Sequence, residues 1–318
     1  MGSSDILALN PDGLYCPAGE FYVDPCGPVE RAVITHAHTD RVWPGSHAYL
    51  TAPGGERLVR ERVGADAAVE TVEYGQRVAM GGATVSLHPA GHILGSAQVR
   101  IERAGEVWVI SGDYNPAADP TCAPFELLRC HTFVTEAAFG LPIFRWPPPE
   151  EAIAGIEEWW RANRDAGRTS ILYTHPLGMA QRVLAGLDRE IGRIGLHEEV
   201  ERYCAIYRAA GVDLPVGAVD LASLILAPPG WKSGLPRVST AMASGWMRIR
   251  GTRRRRSLDR GFVLSNHADW DGLLRVIGGT GAESVWVTHG YRGPLVRWLE
   301  EHGLAARAIQ ARYEGADS

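Results

Sequence analysis

The stretch "AVITHAHTDRVWPG", residues 32 to 45, decides how this chain reads. A β-branched apolar run stops at Thr35 and then delivers His36, His38 and Asp40 at alternate positions. Alternate residues of an extended segment face the same way, so two imidazoles spaced by two can grip one ion together. Arg41 comes next, and a cation is an odd neighbour for a metal.

The same device recurs along the chain: a short apolar β run stops at small residues and presents a side chain of the kind that binds metals. "VSLHPAGH" presents His92, "VWVISGD" Asp113, "FVTE" Glu136, "FVLSNH" His267 and "VWVTHG" His289. Strand ends along one sheet edge can converge on a point, and imidazole with carboxylate is a ligand set for zinc or manganese. A lone histidine at a strand end is more often a hydrogen-bonded structural residue. So many endings of one kind, with HxHxD among them, outweigh that. His47, His88, His131, His175, His197 and His302 match no such pattern.

The chain has 318 residues, 45% of them hydrophobic, enough for a full core and two modest domains. Its opening "MGSSDILALNPDG" has no apolar signal core, and no run approaches the ~20 apolar residues of a membrane span, so a cytoplasmic protein without membrane contact is expected. Five cysteines without a CxxC pair point to reduced thiols. The net charge of −5 leaves a polyanion surface only as a local patch. Such a patch exists: from Arg237 to Arg260 there are eight arginines and one acid, Asp259. Lys232 is the only lysine, so arginine is the default cation here and its use alone proves little.

Along the first third, "FYVDP", "RAVITH", "HAYLTAP", "ATVSLHPA", "AQVRIER" and "EVWVISGD" read as strands, with one helical interruption at "GGERLVRERVG". The prolines of "RWPPPEE" break any element and precede a helical pattern, "EEAIAGIEEWWRANRDAG", so a boundary is expected there. Residues 142–262 read as a separate α/β unit containing "TSILYTH", "GMAQRVLAGLDREI" and "LHEEVERYCAIYRAAG". The tail alternates strand and helix through "GFVLSNHAD", "WDGLLRVIGG", "ESVWVTHG", "GPLVRWLEEHG" and "AARAIQARY".

HxHxD at a strand end, then "AGH", then "SGD", resembles the metallo-β-lactamase superfamily. Glu136 in "TEAAFG", His267 in "SNHAD" and His289 in "THG" resemble the further motifs of its β-CASP branch of nucleic-acid nucleases. "GLYCPAGEFYVDP", "SGWM" and "RGTRRRR" are most similar to the ligase-associated DNA exonucleases of bacteria, relatives of Artemis.

The resemblance implies an α/β fold: a four-layer αββα sandwich formed by residues 1–141 and 263–318, with an inserted β-CASP domain at 142–262. It implies a metal-dependent DNA exonuclease of DNA repair, with manganese or zinc as cofactor, DNA as substrate, and a DNA ligase or helicase of the same pathway as partner. It makes His36, His38 and His92 ligands of the first metal, Asp113 a bridge, and Asp40 and His289 ligands of a second. Asp24 supports the histidine arm. The metal would lower the pKa of a bound water that Asp40 positions for attack on phosphorus. Protonated His267, backed by Glu136, would then neutralise the leaving oxygen. Ser265, Ser244, Gly245, Trp246 and Arg253, Arg254, Arg255 and Arg256 would contact nucleic acid.

The chain departs from the family at three places. Gly178-Met179 stands where relatives often have Gly-Lys, and Asn266 where an acid is common. Arg41 replaces the last histidine of HxHxDH, and a guanidinium neither coordinates nor deprotonates. Three readings follow: Arg41 supplies the charge of a weak or absent second metal and takes part in catalysis; the site is degenerate and the chain a silent nucleic-acid-binding scaffold; or the substitution is engineered to inactivate. Retention of the other motif residues favours the first, with one tightly held ion. An RNA-processing β-CASP nuclease is the remaining alternative.

Overall fold

The computed structural model describes residues 5–310, which form a mixed α/β protein with three sheets. The first has six strands in chain order: Ala8–Asn10, Gly13–Cys16, Phe21–Val23, Arg31–Val33, Ala48–Thr51 and Val69–Thr71. The second has seven, running Ala305–Ala308, Ser284–Gly290, Thr132–Ala137, Glu106–Ile110, Ala97–Arg103, Ala83–Pro89 and Val78–Met80. Its first four strands are parallel neighbours and the rest pair antiparallel. By contacts the chain divides into two compact units, one reaching to Pro142 and resuming at His267, the other Ile143–Asn266.

Alternation along the second sheet builds two cores. Trp108, Ile110 and Trp286 join Leu14, Phe21 and Val33 of the first sheet in one cluster, so the two sheets pack face to face. Val109, Val285 and Val287, one residue out of phase, join Leu273, Val276 and Ile277 of helix Trp270–Thr280 and Leu295 and Leu299 of helix Arg292–Glu301. A strand buried on both faces must be apolar at every position, which is why "VWVI" and "SVWV" lack polar alternation. Each fully buried large side chain contributes about 1.5–3 kcal/mol. Exposed pairs such as Arg297–Glu301 are screened by solvent and contribute little, so packing and not surface charge holds this unit together.

The second unit carries an all-parallel sheet in the order Ile194–Leu196, Leu224–Ala227, Thr169–Tyr173, Val238–Ala243 and Arg260–Phe262. Helix Pro149–Asp165 opens with proline at its first turn and Glu150 and Glu151 beside its positive end. Ala152, Ile156, Trp159 and Trp160 form its buried stripe, and the two indoles donate to Ser239 and Ser223.

Two expectations need correction. "GMAQRVLAGLDREI" is not one helix: Met179–Gly186 ends at its glycine, and Asp188 then caps a short 3-10 turn, Arg189–Ile191. "GFVLSNHAD" is not a strand of the tail that ends at His267. Only Arg260–Phe262 is extended, in the sheet of the second unit, and residues 263–269 form no strand. Its neighbour stops at Ala243 and Ser244 turns into a 3-10 segment, so no partner remains to extend the ladder. The last expected strand is observed as Ala305–Ala308, and its residues 311–313 lie outside the described residues, as does "MGSS".

Candidate metal centre

Loops at the ends of successive strands bring the motif residues together. The His36–His38 arm follows strand Arg31–Val33 and is tied down where Ile34 donates to Leu50 and Ala97 donates to Thr35. His92 follows strand Ala83–Pro89, in a loop whose amides at His92 and Ile93 both donate to the Ser96 hydroxyl oxygen. Asp113 follows strand Glu106–Ile110. Asn115 donates to Ala90 and Ala268 donates to Tyr114, knitting the His92, Asp113 and His267 loops to one another. The glycine of "SGD" has a positional cause. Gly112 has φ +58°, and a Cβ there would stand 2.6 Å from Thr35 Cβ.

One ligand atom from each of His36, His38, His92 and Asp113 lies within 4.8 Å of the others. The three imidazoles stand nearly perpendicular, every pair of ring centroids 4.9 Å apart, so their nitrogens converge. His36 Nε2 is buried 3.3 Å from Asp113 Oδ2 without completing a hydrogen bond. Its other nitrogen is fixed. Thr35 spends its hydroxyl proton on Asp24 Oδ2 at 2.6 Å, so at 3.0 Å from His36 Nδ1 the same oxygen accepts. That fixes the Nδ1–H tautomer and leaves the Nε2 lone pair facing the cluster. Three imidazoles and one carboxylate fit a divalent ion of the zinc or manganese kind.

Asp24 is reached through Thr35, a residue the motif reading did not single out. Its carboxylate accepts the Thr35 amide as well as the hydroxyl. Burial pushes the Asp24 pKa up, opposed by Arg41, His36 and the two Thr35 bonds. Burial also works against ionisation of Asp113, but there Arg41, His36 and His267 outweigh it and hold the carboxyl well below the usual carboxylate range.

Arg41 is itself buried and lies among carboxylates. Its Nη2 donates to Asp113 Oδ1 at 2.8 Å, its Nε stands 3.1 Å from Asp40 Oδ2, and its Nη1 is 4.0 Å from Asp24 Oδ2.

A second group, Asp113, Glu136 and His267, adjoins the first. Glu136 lies in the wholly buried strand Thr132–Ala137 and accepts the amides of Tyr114 and Ala138. So held, it faces His267 Nδ1 from 3.2 and 3.1 Å. Burial alone would lower the His267 pKa, but the charge and hydrogen bond of Glu136, with Asp113 behind them, push it up to about 9. Asp40 and His289 belong to neither of these ligand groups. His289 ends strand Ser284–Gly290 in the left-handed region, and burial holds its pKa below the ordinary value despite Asp113, Glu136 and Asp40.

No family model matches the chain. Over 310 residues it is 28% identical to a protein of Opitutus terrae named probable DNA ligase, covering 93% of this chain and 30% of that protein. Over 142 residues it is 27% identical to endoribonuclease ysh-1 of Neurospora crassa, covering 44% of this chain and 16% of that protein. It thus spans under a third of the length of the curated relatives it matches. A crystal structure of a protein of unknown function from Enterococcus faecalis aligns with TM-score 0.59 at 11% identity, over 89% of this chain and 79% of that one, a likeness of fold alone. The chain resembles the β-CASP branch of the metallo-β-lactamase superfamily, its ligase-associated members above all.

The expected nucleic-acid contacts all lie in the second unit. Ser244 caps the 3-10 turn Gly245–Arg248 by accepting the Trp246 amide, and the Trp246 ring meets Phe144 edge-on. Ser265 is buried, its carbonyl accepting from Arg182. Arg253, Arg254, Arg255 and Arg256 are exposed around the short helix Thr252–Arg255. Arg253 donates to the Asp259 carbonyl and Arg255 to the Thr252 hydroxyl. Among the described residues no helix is long and apolar enough to cross a membrane. None of the five cysteines is in a disulfide among the described residues.

Proposed function

We propose that this chain is a metal-dependent nuclease that hydrolyses phosphodiester bonds of DNA from an end, in repair. The observation that carries the reading is the buried cluster of His36, His38, His92 and Asp113, with His36 held in its ligand tautomer by Thr35 and Asp24. We read the first unit as the metallo-β-lactamase sandwich and the second as the β-CASP insertion. Likeness over 93% of the chain to a protein named probable DNA ligase favours DNA, and a ligase acting on the same ends as partner.

His36, His38, His92 and Asp113 would hold the ion. When bound, such an ion supplies Lewis acidity toward a phosphoryl oxygen and makes hydroxide accessible near neutral pH. Asp40, outside the ligand group, orients the attacking water. His267 carries a proton at neutral pH because Glu136 is fixed against it, and it can give that proton to the leaving oxygen. His289, kept neutral by burial, offers a further lone pair at the rim of the site. Exposed arginines of the second unit bind the backbone through phosphate.

A second reading, an RNA-cleaving enzyme, is favoured by the 27% likeness to an endoribonuclease over 142 residues. Incubation with end-labelled DNA and RNA in manganese, magnesium or zinc separates the two. The expected result is DNA shortened from an end, with turnover lowered ~10²–10⁴-fold in His267→Ala at unchanged metal content. Preferential cutting of RNA favours the second reading. Nucleic acid bound but never cut, with every ion, leaves a silent scaffold.

A further inference from the structure

Asp113 divides its two oxygens. Oδ2 faces His36 Nε2 at 3.3 Å and His92 Nε2 at 4.0 Å, while Oδ1 accepts Arg41 Nη2 at 2.8 Å. One edge of the carboxylate thus serves the histidine cluster and the other a guanidinium. Asp40 Oδ2 is 3.1 Å from Nε of the same guanidinium. We propose that Arg41 is a second cation built into the chain, occupying the carboxylate oxygens beside the histidine cluster, so that the site takes one divalent ion and excludes a neighbouring one. This inference rests on the metal-centre reading above.

Three observations support it. Arg41 is 2% exposed, so its charge is not shared with solvent, and losing a carboxylate partner would leave it buried and uncompensated. A guanidinium keeps its charge at any working pH and has no lone pair to offer a metal, so it competes with an ion for the carboxylates and cannot help to ligate one. The formal charges also balance. Asp24, Asp40 and Asp113 against Arg41 leave two negative charges, which one divalent ion neutralises and a second would reverse. A second ion ~3.5–4 Å from the first would draw on the same carboxylates, and here Oδ1 of Asp113 is already taken. Arg41 is therefore a positioning residue that replaces an ion, and it does not itself touch the reacting atoms.

The test is metal stoichiometry of the full chain, read as manganese per folded protein after removal of unbound ion, together with the electron paramagnetic resonance spectrum. The natural chain is expected to hold one ion with the hyperfine pattern of an isolated centre, and Arg41→Lys, which keeps the charge, should do the same. Arg41→His should gain a second ion and show an exchange-coupled pair. Two coupled ions in the natural chain overturn the inference, as does a single ion in folded Arg41→His. If Arg41→His does not fold, the natural chain and Arg41→Lys decide alone, and two ions in either overturn it. No ion in the natural chain would instead remove the metal-centre reading beneath it.

Discussion

Thr35 offers no ligand atom to the cluster, yet its hydroxyl, hydrogen-bonded to His36 Nδ1, sets which nitrogen of His36 faces inward. Thr35→Val keeps the shape and the amide bond to Asp24 and removes the hydroxyl that joins Asp24 to His36. Affinity for manganese or zinc should fall ~10–100-fold, with little change in the unfolding midpoint measured without metal. An unchanged affinity in a calorimetric titration would mean that the tautomer needs no such support. The convergence of His36, His38, His92 and Asp113 was legible because each follows an apolar run that ends in small residues, a signal local to the sequence. Thr35 was not legible in the same way. Its partner Asp24 is eleven residues away, and no spacing marks a hydroxyl that works by donating to one residue and accepting from another. Asp40 and His289 share the motifs, but whether a motif residue enters a ligand group depends on distances that Arg41 and the left-handed backbone at His289 help to set.

Short elements make the loops that carry chemistry, and their limits explain what the sequence concealed. "GFVLSNH" reads as one β run, but a strand lasts only as long as its neighbour, and the neighbour of Arg260–Phe262 ends at Ala243. The parallel strands Leu224–Ala227 and Val238–Ala243 of the second unit span four and six residues, too short for periodicity to separate helix from strand. Helix Trp270–Thr280 was plain, and the aspartate of "SNHAD" turns out to serve as its cap, Asp269 accepting the Gly272 amide at 2.8 Å. At this scale too belongs the arginine segment. Arg254 and Arg255 are exposed on the helix Thr252–Arg255, and no acid beside them offsets their charge in sequence. Replacing both with glutamate should weaken DNA binding for all sequences alike and reduce the slope of affinity against salt. Equal affinity and an equal salt slope would make the segment a solvated surface.

At the scale of the molecule, the first unit buries two apolar cores against one sheet and leaves polar chemistry to the loops at the strand ends. Buried carboxylates outnumber buried cations around the cluster, so a bound divalent ion should stabilise the fold as well as enable chemistry. At an ion concentration a hundred times its Kd the gain is about 2.7 kcal/mol. For a unit of this size that raises the unfolding temperature by roughly 5–10 °C, reversed by a chelator, in a calorimetric scan. No shift would mean that the ion binds the folded and unfolded chains alike, or neither. The central claim is that His36, His38, His92 and Asp113 hold one divalent ion, and an anomalous-difference map from crystals grown with zinc tests it most directly. The account predicts a single peak between these four side chains, about 2.0–2.1 Å from the histidine nitrogens. A map without a peak there, or with the ion held elsewhere, would contradict it.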